Sequence, residues 1–109
     1  SVQLRNNKLG CRGIQTVRNN FNDGIWHNVV LLTTANGFIF YVDGLLEPTE
    51  TGGPDRVCYP ESLVGCRLYQ SVYGYYFRGD LSCILSYNRI LTDSEILQNY
   101  NALKYRFGL

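Results

Sequence analysis

The chain has 109 residues and a formal net charge of +1, with 17% charged and 14% aromatic residues. That length suits one domain with one core, and the low charge with frequent aromatic residues excludes a disordered chain. The ten Lys and Arg residues are scattered rather than striped, which argues against nucleic acid as a partner, and no apolar run is long enough to span a bilayer.

Taken in chain order, residues 11–18 alternate loosely and predict a first strand. Residues 25–46 carry the clearest pattern. The apolar and β-branched run from Trp26 to Thr34 predicts a strand, Asn36-Gly37 a tight turn, Phe38 to Val42 a second strand, and Asp43-Gly44 another turn. The sum is a β-meander. From Glu47 to Pro60, three prolines and Gly52-Gly53 predict a long surface loop.

Residues 63–69 resume as a strand, residues 70–74 turn, and residues 80–87 alternate with Leu81, Cys83, Leu85 and Tyr87 on one face. An antiparallel sheet packed on one side produces such alternation. The period then changes. Thr92-Asp93-Ser94-Glu95 is a capping box, and Ile96, Tyr100, Leu103 and Phe107 recur at helical spacing. Asp93 and Glu95 suit the positive end of the helix dipole, Lys104 and Arg106 its negative end, and Gly108 is a stop. The predicted class is all-β with one C-terminal helix, in a single domain over residues 1–109.

Cys11, Cys58, Cys66 and Cys83 show no C-x-x-C spacing, and His27 is the only histidine, so zinc is not expected. Two readings stand: disulfides of a secreted product, or small buried thiols filling a core. The sequence has no methionine, so Ser1 is expected not to be the translation start.

Asp23-Gly24-Ile25-Trp26-His27-Asn28-Val29-Val30 resembles the D-G-x-W-H-x-V strand of laminin-G-like and concanavalin A-like domains. Tyr41-Val42-Asp43-Gly44 resembles their Y-V-D-G hairpin. Phe77-x-Gly79-x-Leu81, then Tyr87-Asn88-Arg89-x-Leu91-Thr92-Asp93-x-Glu95-Ile96, resembles their closing strand and helix. The resemblance implies an antiparallel concanavalin A-like jelly-roll sandwich. Such folds carry about a dozen strands, and this chain has room for roughly seven or eight at the usual length. The N-terminal strands are therefore expected to be missing, leaving sheet edges for a partner to cover. The tail from Gln98 to Lys104 is most similar to versions in bacteriophage and other viral structural proteins, where the domain decorates a capsid or tail. That implies a virion component, otherwise an extracellular one, whose partners are protein subunits of a homo- or hetero-oligomer. A carbohydrate-binding, lectin-like module of a secreted or cell-surface protein is the alternative.

Hydrolases on this scaffold need two carboxylates facing across a groove, usually two glutamates on one strand with an aspartate between. Nothing here matches. Glu47, Glu50 and Glu61 lie in or beside the Pro/Gly-rich loop, and capping explains Glu95. No catalytic residues are expected. Family members implicate His27 and Trp26 as strand residues, with Trp26 in the core. Related domains often bind calcium through loop carboxylates, but Asp23 and Asp43 are read first as turn residues, so no cofactor is assigned. The candidate ligand site is the tyrosine cluster Tyr69, Tyr73, Tyr75 and Tyr76 around Gly74, joined by Arg56 if its loop folds back.

Overall fold

A computed structural model describes residues 2–52, 63–74 and 76–109. The chain divides into two compact units, residues 1–56 with 87–109, and residues 57–86. The first unit holds two antiparallel sheets and the C-terminal helix.

The first sheet begins with two hairpins that the sequence reading passed over. β1 (Gln3–Arg5) and β2 (Lys8–Cys11) pair through Leu4 and Leu9, joined by Asn6-Asn7 at φ of 51° and 63°. Asparagine tolerates that left-handed backbone better than most residues, and two such positions make the turn whose twist suits a hairpin. Arg12-Gly13 turns the chain again into β3 (Ile14–Thr16). The single strand expected over residues 11–18 is thus the end of one strand, a turn and the start of another.

The second sheet is the predicted meander. β4 (Val29–Thr34), β5 (Gly37–Val42) and β6 (Leu45–Glu47) pair in order. The first turn sits one residue earlier than read, on Ala35 and Asn36, because Gly37 already pairs with Thr34. Strand β4 also starts at Val29 instead of Trp26. The second turn is Asp43-Gly44, at φ of 53° and 82°.

The β4–β5 part of this sheet is covered on both faces. Leu31, Phe38, Phe40 and Val42 pack with Leu9, Cys11 and Phe21, which joins the two sheets in one core. Val30, Leu32, Ile39 and Tyr41 point the other way, onto Leu91 and Ile96. Burial on both faces is why VVLL and FIFYV read as continuous apolar runs rather than alternating ones. Cys11 is a free thiol buried in the core, as the second cysteine reading expects, but Cys66 is only half-buried and Cys83 is exposed, so that reading holds for Cys11 alone among the described cysteines.

After β6 the chain crosses to the first sheet, where β7 (Thr49–Thr51) pairs with β3. Pro48 marks the crossing. It has no N–H to lose, and its carbonyl accepts the Val17 N–H at 3.0 Å. The long loop expected from Glu47 to Pro60 therefore begins with an edge strand; residues 53–62 lie outside the described residues.

α1 (Asp93–Leu103) runs on into a 3-10 turn, Lys104–Phe107, and Gly108 stops it at φ of 72°. The capping box is formed: Thr92 Oγ1 accepts the Glu95 N–H at 3.2 Å, and the Glu95 carboxylate accepts the Thr92 N–H at 3.1 Å. Arg89 grips the same carboxylate through two N–H groups, and these bonds, with the Thr92 N–H, hold the Glu95 pKa down to about 2. Ile96 is buried on the sheet, and the Tyr41 hydroxyl donates to Asp93 in the first turn. A Cβ on Gly44 would meet Leu97 and Tyr100 at 3.0 Å, so the helix rests directly on the Asp43-Gly44 turn. Replacing Thr92 with alanine is expected to cost about 1 kcal/mol, read as a lower urea midpoint, while Thr92→Ser should cost only a few tenths. Among the described residues, no helix is long and apolar enough to cross a membrane.

In the second unit, β8 (Arg67–Tyr69) and β9 (Val72–Gly74) form a hairpin around Gln70-Ser71, at φ of 47° and 62°. The Phe77 N–H closes onto the Gly65 carbonyl at 2.7 Å. The strand predicted over 63–69 is shorter than expected, and β9 occupies the segment read as a turn. Residues 80–87, predicted as an alternating strand, form none. Leu81, Leu85 and Tyr87 are exposed, and so is Ile84. Alternation sorts side chains onto faces only where a neighbouring strand takes up the backbone, and among the described residues none pairs with this segment.

Candidate functional site

The predicted tyrosine site falls on the β8–β9 hairpin. Tyr73 is exposed on β9, in register with Leu68, and Tyr76 is exposed just beyond it. Tyr69 lies on β8 opposite Val72, so the hairpin register does not set it against Tyr73. Tyr75 and Arg56 lie outside the described residues.

A second cluster, which the sequence reading did not assemble, lies in the first unit around residues 17–28. It starts from a buried hydroxyl. Thr16 Oγ1 accepts the Leu9 N–H at 3.1 Å and donates to the Arg18 carbonyl at 2.9 Å, which fixes the chain as it leaves β3. Arg18 then reaches Glu47 through Nε at 2.7 Å and Nη2 at 2.9 Å. Glu47 is only 5% exposed, so this two-pronged pair supplies the charge and the donors that its burial requires. The bond to Glu47, together with the charges of Glu47, Asp43 and Asp23, raises the Arg18 pKa further despite some burial. The glutamate expected to float in a loop is therefore anchored. Glu50 is fixed too: on β7 it accepts from Lys8 and Gln15.

The Arg18 guanidinium sits 4.8 Å above the Phe21 ring, and Phe21 meets the His27 ring edge-on at 5.9 Å. His27 stands between two aspartates. Its Nδ1 is 2.8 Å from Asp43 Oδ2, and its Nε2 is 2.9 Å from Asp23 Oδ1. Each aspartate is also held by backbone: Asp43 Oδ1 accepts the Asn28 N–H at 2.9 Å, and Asp23 Oδ1 the Ile25 N–H at 3.0 Å. Asp43 thus serves as the turn residue expected of it and also ends the ladder at Asn28, which is why β4 starts no earlier.

Trp26 corrects an expectation. It lies in a segment without strand pairing, is 39% exposed, and rests on Phe107 with ring centres 5.0 Å apart. The core position is taken by Phe21 instead.

Asp23, Glu50 and Glu95 all have pKa values displaced downward, Asp23 first by the Ile25 N–H and then by His27. A glycosidase acid needs a carboxyl displaced upward. Among the described residues, no group of three or more His, Cys, Asp or Glu is arranged to hold a metal ion. An open groove of about 460 Å³ lies beside these residues, lined by Phe38, Ile39, Leu46, Glu47, Pro48 and Thr49. Leu46, which lines it, is 62% exposed, and its neighbour Leu45 on β6 is 67% exposed.

Compared with known proteins, residues 5–97 match the laminin-G model described as the concanavalin A-like lectin/glucanases superfamily. No curated protein and no solved structure matches the chain.

Proposed function

The chain belongs to the concanavalin A-like lectin/glucanases superfamily, which holds enzymes and non-enzymes alike, and from that premise we propose that it is a non-catalytic module for assembly with other protein subunits. The observation that carries this reading is β6. Among the described residues it pairs only with β5, and it sets Leu45 and Leu46 in solvent beside an apolar groove. An edge strand with one open side and exposed leucines is a template for another chain, and natural domains cover such edges. The glutamates tied up in pairs and caps, Glu47 by Arg18, Glu50 by Lys8 and Gln15, and Glu95 by Arg89 and Thr92, support the non-catalytic half of the reading. The setting proposed is a virion surface, on the likeness of residues 98–104 to viral structural proteins, or else the outside of a cell.

Native mass spectrometry at micromolar concentration tests it. The expected result is a multiple of the 12.5 kDa chain that reverts toward monomer in Leu46→Lys, whose charge would be desolvated at a contact. A strictly monomeric 12.5 kDa species overturns the homo-oligomeric form of the proposal, and failure to co-purify with a native assembly overturns the rest. One observation favours a second reading, glycan binding: Tyr73 and Tyr76 hold their rings in solvent, as sugar stacking requires. In that case a glycan array returns binders that Tyr76→Ala loses.

A further inference from the structure

His27 is bonded in a way that only one of its protonation states satisfies. Both ring nitrogens face carboxylate oxygens, Nδ1 toward Asp43 and Nε2 toward Asp23. An ionised carboxylate only accepts, so both nitrogens must donate, and an imidazole donates twice only as the imidazolium. The neutral ring would turn a lone pair toward a carboxylate oxygen at hydrogen-bond distance.

The bridge also joins two pieces of chain with little else between them. Asp43 belongs to the β5–β6 turn, where its N–H donates to the Asn28 carbonyl and its Oδ1 accepts the Asn28 N–H. Residues 22–27 have no strand ladder, and upstream of them the Phe21 N–H reaches the Asn7 carbonyl at 3.4 Å. The same segment carries exposed Ile25, and Trp26 resting on Phe107.

We propose that Asp23, His27 and Asp43 form a pH-operated fastener, which holds residues 22–27 and Trp26 in place while His27 is protonated and releases them when the ring loses its proton. The charged groups that face His27 are Asp23 from its own segment, Asp43 from the turn, and Arg18, stacked on Phe21 and paired with Glu47 of β6. Arg18 keeps its charge throughout, and the aromatic side chain that meets Trp26 from the helix end, Phe107, has none. Titration in the neutral range therefore falls on His27.

Burial is the largest single influence on the His27 pKa and lowers it, but the bonds to Asp43 and Asp23 together outweigh it and leave a net rise. A raised folded-state value means that the bridge stabilises fully below the unfolded value of about 6.5, and that this is lost as pH rises through the folded value. Asp23 is displaced downward, so its contribution is present above the ordinary aspartate value and is lost only as pH falls through the lowered one. Release is an alkaline event.

Trp26 and His27 are the only residues of their kinds in the chain, so each has its own probe. Tryptophan emission and the His27 ring NMR signals are followed on the wild-type chain between about pH 5 and 9. Both should show one transition at a shared midpoint above about 6.5. Asp23→Asn should lower both midpoints together, and His27→Gln should remove the fluorescence step. Emission that stays flat while His27 titrates overturns the proposal, as does a His27 midpoint at or below the ordinary value. If His27→Gln does not fold, coincidence of the two wild-type midpoints decides.

Discussion

Phe40→Ala is expected to remove about 3–5 kcal/mol of unfolding free energy, the range for emptying a fully buried aromatic position. Phe40 is completely buried at the centre of β5, facing the first sheet among Leu9, Cys11, Phe21 and Val42. Those neighbours come from β2, the segment after β3 and β5 itself, so no single shift can close the space. Domains of this size have about 5–15 kcal/mol in all, so the variant should lose a large share of its stability. Urea unfolding followed by circular dichroism measures it. Leu45→Ala, on the neighbouring strand but in solvent, should stay within about 0.5 kcal/mol. If the two cost the same, Phe40 is not where the sheets join.

Arg18→Ala should be next, at about 2–4 kcal/mol. It strips the buried Glu47 carboxylate of both its donors, and an unpaired buried charge is what makes broken ion pairs costly. Arg18 itself is 51% exposed, so water already screens part of the attraction and the loss falls toward the lower end. Arg18→Lys keeps the charge but cannot make the two-pronged bond, and should lose about 1 kcal/mol. The double variant Arg18→Ala with Glu47→Gln should recover much of the loss, because an amide is cheaper to bury than a carboxylate. Urea midpoints of the wild type, Arg18→Ala, Glu47→Gln and the double variant close the cycle. A double variant no better than Arg18→Ala alone would mean that the guanidinium matters for its contact with Phe21, not for Glu47.

How much of this was legible varies with the range of the interaction. The β4–β5–β6 meander and the capped helix rest on contacts between near neighbours, and Asp43-Gly44, Thr92 and Glu95 announce them. The β1–β2 hairpin was legible in principle through Asn6-Asn7, but strands of three or four residues are too short to show a period around it. The segment at 80–87 shows the opposite failure: a clean alternation, with no strand among the described residues to use it. In the charged cluster only Asp23 and His27, four apart, were close enough to be paired from spacing. Arg18 and Glu47 are 29 residues apart, and His27 and Asp43 are 16 apart. No local rule connects them.

Sequence alone determined the class of the fold, its family signature and the one helix with its start and stop, because backbone propensity, turn chemistry and capping act within a few residues. Tertiary structure alone decided which sheet each short strand joined, that Phe21 and not Trp26 fills the core, and that Glu47 is a buried anchor. It also decided that the lone histidine stands between two aspartates. Those outcomes depend on the crossing at Pro48 and on the stacking of the two sheets, which bring distant residues within bonding distance and which no pattern along the chain encodes.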